Sequence, residues 1–290
     1  MRALGIVVVA LVACGGRNHP AITAVPARAL TNGDRIVDLL PDGVQVVIEI
    51  DVARLRHNDV VGAIVAKALD TGGSKLVTDA PLEGVDEIVL AAYGVGTSNA
   101  ATVTVLASHK DVAGARRITD GIVALGPPDW VDQIARRAAI GGAHAPAELL
   151  KLRDRAMPAG ATGAAVRVTA RLAFDARVSL ARLLGVDGAP AQLSAWGDVA
   201  DDLAIVIDAD AADPGDKDPK SAAARLATTM RRALAAVADE PTVRALGVLD
   251  SLREARVKVG GTWVRTIIAI GPEHLRRVVA RADALLAGAP

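Results

Sequence analysis

The strongest constraint on the fold is a recurring pattern of paired strand-like segments. Residues 86–93 (DEIVLAAY) and 101–108 (ATVTVLAS) are rich in β-branched and other apolar residues, and a loop of Gly, Ser and Asn separates them. Residues 192–198 (QLSAWGD) and 203–210 (LAIVIDAD) repeat the arrangement. Strands joined by short loops of this kind pair antiparallel. Since the βαβ rhythm of a parallel sheet is missing, we predict an α+β protein with a mainly antiparallel sheet.

Three more segments extend the predicted sheet. Residues 44–50 (VQVVIEI) are rich in β-branched residues and partly alternate between apolar and polar side chains, which predicts a strand. Residues 255–271 (ARVKVGGTWVRTIIAIG) predict two strands around a Gly-Gly turn. Residues 165–174 (AVRVTARLAF) alternate cleanly, which predicts one shared face for Val166, Val168, Ala170, Leu172 and Phe174. A further strand is predicted near residues 134–140.

Helices are predicted from caps and from apolar residues at helical spacing. The predicted helices are a short turn at 52–56 capped by Asp51, a helix capped by Asn58, a helix from Asp111 to Leu125, a helix opened by Pro146, a short helix near 178–185, and helices opened by Pro219, Pro241 and Pro272. Together with the strands, they repeat one order of elements in both halves of the chain. That order is strand, short helix, hairpin, longer helix, strand and closing helix.

This order divides the chain into a first α+β unit at 36–160 and a second at 161–290, each expected to have helices on one face of its sheet. Two short echoes accompany the repeat: ARL at 53–55 and 181–183, and AIGGAHAPAELL from Ala139 against AIGPEHLRRVV from Ala269. Chains rich in Ala, Arg and Leu generate such matches by chance, so duplication and coincidence both remain open.

Composition excludes several classes of function. The 33 basic and 33 acidic residues balance, so no overall field attracts nucleic acid, and we expect no nucleic-acid partner. Aromatic residues make up only 2% of the chain, too few for the stacking surfaces that bind sugars or single strands. The single cysteine cannot form an internal disulfide bond, so the fold depends on its core.

The N-terminus has the pattern of a secretory signal. Met1-Arg2 is a short positive region, and an uncharged aliphatic run follows from Ala3 to Ala13. As a helix this run would span about 16 Å at ~1.5 Å per residue. That is about half of the ~30 Å hydrocarbon core, so a transmembrane helix is not expected.

Leu11-Val12-Ala13-Cys14 resembles the lipobox of bacterial lipoproteins, a Leu and two small or aliphatic residues before a Cys. The resemblance covers the first 16 residues. It implies that the Cys14 thiol receives diacylglycerol, that the chain is cut before Cys14, and that the new amino group is acylated, typically with palmitate. Several acyl chains hold a protein stably on a bilayer. The alternatives are a buried N-terminal strand with Cys14 in the core, and plain secretion with a free thiol.

The same resemblance predicts the location. Residue 15 is Gly, whereas Asp at this position marks inner-membrane retention in familiar Gram-negative lipoproteins. We therefore expect an envelope protein on the outer membrane, facing the periplasm or the cell surface. Residues 14–35 carry Gly, Asn and Pro without periodicity and are predicted to be a flexible tether that includes His19.

No motif for catalysis, a cofactor or a metal is present in the sequence. The five histidines are isolated, there is no G-x-S-x-G elbow or phosphate-binding loop, and YGVGTSN at 93–99 reads as a hairpin loop. His57, His109, His144 and His274 fall at ends of predicted elements and are expected to be exposed. We assign no catalytic, cofactor-binding or metal-binding residue, and Cys14 is the only assigned site.

Two acidic clusters leave alternatives open. The first cluster is interpreted as a polar hairpin turn, and general acid–base chemistry is the alternative. It consists of Asp198, Asp201 and Asp202. The second cluster is interpreted as a solvated loop. The alternative is a weak Ca²⁺ site, although the spacing of its Asp residues differs from that of an EF-hand loop. It consists of Asp208, Asp210, Asp213, Asp216 and Asp218.

The sequence therefore favours a lipid-anchored, non-catalytic envelope protein that binds or scaffolds a protein, peptidoglycan or lipid partner. Its overall layout resembles uncharacterised bacterial lipoproteins, and that resemblance supplies no activity. Two alternatives remain: a carrier for an apolar ligand, and an envelope hydrolase that uses Asp carboxylates.

Overall fold

The computed structural model describes residues 30–70, 82–141, 144–186, 188–211 and 218–287. Cys14, His19, Asp213, Asp216 and most of the predicted tether lie outside these residues. Among the described residues, no helix is both long enough and apolar enough to cross a membrane.

The chain forms ten strands and ten described helices. The strands are β1 (Val46–Asp51), β2 (Val85–Tyr93), β3 (Ala101–Ser108), β4 (Arg116–Thr119), β5 (Ile122–Leu125), β6 (Val166–Arg171), β7 (Gln192–Val199), β8 (Leu203–Asp210), β9 (Arg256–Gly260) and β10 (Trp263–Ile270). The helices are α1 (Asn32–Leu39), α2 (Val52–Arg56), α3 (Gly62–Asp70), α4 (Pro128–Ile140), α5 (Ala147–Arg153), α6 (Phe174–Leu184), α7 (Pro219–Asp239), α8 (Pro241–Leu246), α9 (Leu249–Arg253) and α10 (Pro272–Ala287).

All ten strands belong to one sheet, in the order β4-β5-β3-β2-β1-β6-β7-β8-β10-β9. Every neighbouring pair in this order is antiparallel. The predicted α+β class with a mainly antiparallel sheet is confirmed. The two halves of the chain meet where β1 pairs with β6, with Ile48 opposite Val168.

Helices pack on both faces of this sheet, not on one. Directly opposed residues share a face. One such row runs across the sheet through Val105, Val89, Glu49, Arg167, Trp196, Val206 and Ile267. Its core joins Val89 and Val105 to apolar residues of α1, α4 and α5, so we name this the α1 face.

The opposite face is the α10 face, and it carries the second large core. Leu275 and Val278 of α10 pack there against Ile268 and Ile270 of β10. Leu55 of α2 and residues of α3, α8 and α9 belong to the same core. The two faces therefore hold separate hydrophobic cores, and the charged residues described below lie on the α1 face.

The strand order repeats in the two halves. Counted outward from the β1–β6 pair, one half reads β1, β2, β3, β5, β4 and the other reads β6, β7, β8, β10, β9. The ARL echo lies in α2 and α6, the helices that follow β1 and β6. The echo from Ala139 and Ala269 joins unlike elements, since Ala139 is in α4 and Ala269 is in β10. The helix after β5 (α4) and the helix after β10 (α10) also pack on opposite faces, so duplication stays a prediction.

The predicted helix at 111–125 is wrong, because this segment contains the hairpin of β4 and β5. Asp120-Gly121 forms its turn, and Gly121 adopts a φ of +69°, a conformation that suits glycine. Ile122, Val123 and Ala124 are buried in β5, where pairing with β3 outweighs the helical spacing that suggested a helix.

Two further expectations fail for similar reasons. Residues 134–140 are not a strand, because Pro128 opens α4 and the helix continues to Ile140 with Val131 and Ile134 buried. The strand predicted to reach Phe174 ends at Arg171; Phe174 instead starts α6 and is 73% exposed.

The predicted helix starts at Asp51 and Pro146 are confirmed. The Asp51 carboxylate accepts a hydrogen bond from the Arg54 backbone N–H at 2.8 Å, which caps α2. Asn58 accepts from the N–H groups of Val60 and Val61, just before α3 begins at Gly62. Pro146 precedes α5, which brings Arg153 to the sheet.

Candidate functional site

The main polar feature of the described fold is a group of five ionisable residues on the α1 face, four of them buried. Asp34 comes from α1, Glu49 from β1, Glu87 from β2, Arg153 from α5 and Arg167 from β6. Glu49 and Arg167 are direct neighbours across the β1–β6 pair. We call this group the Arg153 cluster, and it was not foreseen from the sequence.

Arg153 holds the cluster together through two carboxylates. Its Nε lies 2.7 Å from Glu49 Oε1 and its Nη2 lies 2.5 Å from Glu49 Oε2, which is a bidentate pair. Its Nη1 donates to Asp34 Oδ1 at 2.6 Å. Arg153 is 5% exposed and Glu49 is 3% exposed, so these bonds are shielded from solvent. The interaction ties α1 and α5 to the centre of the sheet.

The start of α1 is built to supply Asp34. Thr31 is the N-cap, its side chain accepts from the Asp34 N–H, and the Asp34 carboxylate accepts from the Thr31 N–H, which is a capping box. The Asp34 carboxylate therefore both caps its own helix and accepts a hydrogen bond from Arg153. Burial opposes its ionisation, but the bonds from Thr31 and the charge of Arg153 lower the pKa of Asp34.

Glu87 differs from the other acids of the cluster. Its side chain is 8% exposed, and burial together with the negative charges of Asp51 and Glu49 raises its pKa to about 8. The positive charges of Arg153 and Arg167 offset only part of this effect. Glu87 is consequently protonated at neutral pH, which reduces repulsion among the acids. Burial also raises the pKa of Asp51.

A cavity of about 30 Å³ lies within the cluster. Glu49, Glu87, Arg153 and Arg167 are among its lining residues, together with Asp51. This volume is enough for a water molecule, and the polar lining offers several hydrogen-bond partners. It is far below the ~300 Å³ typical of small-molecule sites. The cluster is therefore suited to holding structure together and not to enclosing a substrate.

A second charged group lies on the same face in the other half of the sheet. Arg265 of β10 donates from Nε to Asp208 Oδ1 at 2.8 Å and from Nη2 to Asp208 Oδ2 at 2.6 Å. Arg155 Nε approaches Asp208 Oδ2 at 3.8 Å, and its guanidinium stacks over Trp263 at 3.5 Å from the ring centroid. Asp208 is 3% exposed. We call these four residues the Asp208 cluster.

The acidic segment from Asp208 to Asp218 thus divides into different environments. Asp208 is a buried strand residue bound by Arg265, so the prediction of a wholly solvated loop is wrong for it. Asp218 is the N-cap of α7 and accepts from the Ser221 N–H at 3.1 Å. Among the described residues, no group of three or more His, Cys, Asp or Glu side chains is arranged to hold a metal.

The acids at 198–202 also separate. Asp198 lies in β7 and forms a bidentate pair with Arg54 of α2. Asp201 is exposed in the turn between β7 and β8, as the sequence predicted for this hairpin. The guanidinium of Arg54 thus occupies one of the three carboxylates that the general acid–base alternative invoked.

Three of the histidines match the expectation of exposure. His57, His109 and His144 are exposed at the ends of elements. His274 does not match, because it is half-buried in the first turn of α10, where Nε2 lies 2.8 Å from the Gly247 carbonyl oxygen and Nδ1 lies 3.4 Å from Ser251 Oγ. His274 therefore connects α10 to the α8–α9 region.

An open cleft of about 370 Å³ lies at the start of α1. Its walls come from α1, the ends of β2 and β3, and the β4–β5 hairpin. Arg35, Lys110 and Arg117 supply positive charge, while Asp86 and Asp120 supply negative charge. We call this the α1 cleft. No sequence pattern indicated it, because its lining residues come from four separate segments.

Comparison with known proteins gives few matches. No protein-family model and no characterised protein sequence matches the chain. Two solved structures are similar in outline, crystal form I of TP0453 with a TM-score of 0.43 and crystal form III of TP0453 with a TM-score of 0.44. Each is 9% identical in sequence; they cover 85% and 84% of this chain, respectively, and 97% of their own.

Proposed function

We propose that this protein is a lipid-anchored protein of the bacterial cell envelope that binds or scaffolds a partner without catalysis. The observation that carries the proposal is Leu11-Val12-Ala13-Cys14 after a short positive and apolar start. In the proposal, Cys14 carries diacylglycerol on sulfur and an acyl group on its amino nitrogen. Two or more acyl chains give stable attachment, whereas one chain gives only marginal attachment.

Outer-membrane sorting is part of the proposal and depends on Gly15. The mature part would then face the periplasm or the cell surface. Its net charge of zero supports a partner recognised through a specific surface and not through bulk attraction.

The geometry of the acids supports binding over hydrolysis. Asp198 is occupied by Arg54, and the buried Glu49 is occupied by Arg153. Glu87 has the raised pKa of a general acid, but it faces a cavity of about 30 Å³, which leaves no room for a substrate beside it. These pairs hold elements of the fold together, which is what a binding scaffold needs.

An apolar-ligand carrier is the second candidate, and one observation favours it. On the α10 face near the β1–β6 pair, several aliphatic side chains are only half-buried: Val46, Ile48, Leu90, Val168 and Leu193. A bound acyl chain would cover them. Native mass spectrometry of the purified protein separates the two functions, because a carrier retains a lipid adduct and a scaffold gives the mass of the processed chain alone.

Replacing Cys14 by Ser tests the anchor. We expect Cys14→Ser to abolish metabolic labelling with a palmitate analogue and to release the protein from washed membranes. Gly15→Ser is the matched control, since it changes the adjacent residue but keeps the thiol, and it should stay attached. Full membrane retention of Cys14→Ser without label would overturn acyl anchoring.

Gly15→Asp tests the sorting. If the rule of familiar Gram-negative lipoproteins holds, this variant moves from outer-membrane to inner-membrane fractions, whereas Gly15→Ser does not. An unchanged distribution of Gly15→Asp would contradict the outer-membrane part of the proposal and leave the anchor intact.

A further inference from the structure

The α1 cleft has the size of a small-molecule site but a polar lining. Its volume of about 370 Å³ falls in the ~300–1,000 Å³ range of such sites. Most ligand sites are lined mainly by apolar groups. Here Arg35, Lys110 and Arg117 line one space with Asp86 and Asp120. This lining favours a polar ligand, and the excess of cations over carboxylates favours one with negative charge.

The positive groups of the cleft are available for exchange. Lys110 Nζ lies 2.5 Å from Glu83 Oε1, and Arg117 Nη2 lies 2.8 Å from Asp111 Oδ1. All four side chains are at least half exposed, and Arg117 and Asp111 are 66% and 89% exposed. Exposed pairs of this kind are screened by solvent and contribute little to stability, so an anion can displace the carboxylates at small cost.

Arg35 is held even less firmly. The one described hydrogen bond of its side chain joins Nη1 to Asn32 Oδ1 at 3.5 Å, a long distance for such a bond. Asn32 and Arg35 are in the first turn of α1, and both line the cleft, so the N-terminal end of α1 faces it. A guanidinium that makes one long bond can turn toward a ligand without breaking a strong interaction.

The chemistry of these side chains favours a phosphate group. Arginine presents paired N–H donors that match two oxygens of a phosphate, and lysine adds a compact positive charge. Asp86 and Asp120 accept hydrogen bonds and repel an anion, so the ligand must also bring donors. The hydroxyls of glycerol and the ammonium of ethanolamine are donors of this kind.

We propose that the α1 cleft binds a phosphate ester that carries hydroxyl or amino donors, with Arg35, Lys110 and Arg117 contacting the phosphate. The ester has two sources, a soluble metabolite or the headgroup of a phospholipid. Binding of the phosphate does not require acylation of Cys14. Only the headgroup source rests on the proposed function.

The length of chain before α1 makes the headgroup source geometrically accessible. Asn32, the first residue of α1, follows Cys14 by 18 residues (32 − 14), which span at most about 63 Å at ~3.5 Å per residue. An anchor at Cys14 would keep the start of α1, and therefore the cleft, within this distance of the bilayer surface.

The first experiment uses soluble probes on the full-length protein in a neutral detergent. Isothermal titration with phosphoethanolamine and with glycerol 3-phosphate should give binding that weakens at least tenfold in Arg35→Gln and in Arg117→Gln. Arg276→Gln, an exposed change on α10, is the control of matched charge and should bind like the original protein. Circular dichroism melts check that all variants fold.

Three results would overturn the site. The first is no binding at about 10 mM probe, tenfold above the ~1 mM upper end of ordinary substrate affinities. The second is equal weakening of binding in Arg276→Gln. The third is binding of sulfate as tight as that of the phosphate esters. The last result would mean that the cleft takes any anion and not a phosphate ester.

The second experiment distinguishes the sources. Vesicles of phosphatidylglycerol or phosphatidylethanolamine should compete with the soluble probe if the headgroup is the ligand, and phosphatidylcholine vesicles, which lack donors, should not. Soluble binding without competition by any vesicle assigns the site to a soluble ester. Because Cys14→Ser should keep the soluble binding, failure of the anchor and failure of the cleft give different results.

Discussion

The Arg153 cluster and the Asp208 cluster use the same chemistry on the same face of the sheet. Each has an arginine that binds one buried carboxylate through two hydrogen bonds, Glu49 in the first and Asp208 in the second. They differ in exposure: the Arg153 side chain is 6% exposed, whereas the Arg265 side chain is 46% exposed.

The difference in exposure separates two roles for similar ion pairs. The Arg153 cluster joins α1 and α5 to β1, so the loss of Arg153 leaves Glu49, which is 3% exposed, without its cation and with little solvent around it. The Asp208 cluster joins neighbouring strands that main-chain bonds already hold, and water reaches its arginine. Buried pairs are weak sources of net stability but are costly to break, whereas solvent screens the exposed ones.

The largest effect is expected from Arg153→Met. This change keeps an aliphatic side chain but leaves Glu49 and Asp34 without their shared cation. Removal of one partner of a buried pair costs about 3–5 kcal/mol. Urea unfolding at pH 7, followed by circular dichroism, measures the change. A loss below ~1 kcal/mol would mean that the cluster behaves like the exposed one.

The second prediction concerns pH and Glu87. The folded pKa of about 8 is higher than the ordinary value of 4.5, so the folded protein binds a proton that the unfolded chain has released. The stabilisation is complete below pH 4.5 and is lost as pH rises to 8. Between these limits the free energy of unfolding should fall by about 1.4 kcal/mol per pH unit from this group.

Glu87→Gln isolates this contribution, because the amide mimics the protonated acid and does not titrate. The variant should lack the part of the slope due to Glu87, and above pH 8 it should be more stable than the original protein. Urea unfolding at half-unit steps from pH 5 to pH 9 provides the comparison. Identical slopes for the two proteins would contradict the assignment.

A third, smaller effect is expected from Gly33→Ala. Alanine in place of glycine ordinarily favours a helix by about 1 kcal/mol. Here an added Cβ would lie 2.9 Å from Glu87 Oε1 and 3.0 Å from Glu49 Oε2, both too close. We therefore expect a destabilisation of about 1–3 kcal/mol, as in other overpacked sites. A gain in melting temperature would contradict this expectation and would mean that the Glu87 and Glu49 side chains shift to accommodate the methyl group.

The smallest effect is expected from Arg265→Met. Asp208 keeps Arg155 at 3.8 Å after the change, and water can enter where Arg265 was exposed. We expect a loss of about 1–2 kcal/mol, within the range for an acceptor that loses a hydrogen bond. A loss equal to that of Arg153→Met would remove the distinction between the clusters.

Sequence patterns were sufficient for most elements of the fold. Alternation located β1 and the β2–β3 and β7–β8 hairpins, and Asp51 and Pro146 marked helix starts correctly. They failed at 111–125, where the Asp120-Gly121 turn signal competes with a helical spacing of apolar residues. Sequence patterns also failed to predict that helices cover both faces of the sheet, because each helix can pack on either face once the chain leaves a strand.

The Arg153 cluster was harder to find because its partners are far apart in the chain. Arg153 is 104 residues from Glu49 and 119 residues from Asp34. One signal was present: Glu49 lies two residues after Val47 and therefore on the same buried face of β1. A charged residue at an inward strand position requires a partner, but the sequence does not identify it.

The proposed lipid anchor is tested most directly at the N-terminal tryptic peptide of protein purified from membranes. Trypsin cleaves after Arg17, so a processed lipoprotein yields Cys14-Gly15-Gly16-Arg17. We predict this peptide in mass spectrometry with diacylglycerol on the thiol and an acyl group on the amino terminus. A peptide that begins at Ala3 and carries an unmodified Cys14 would contradict the account.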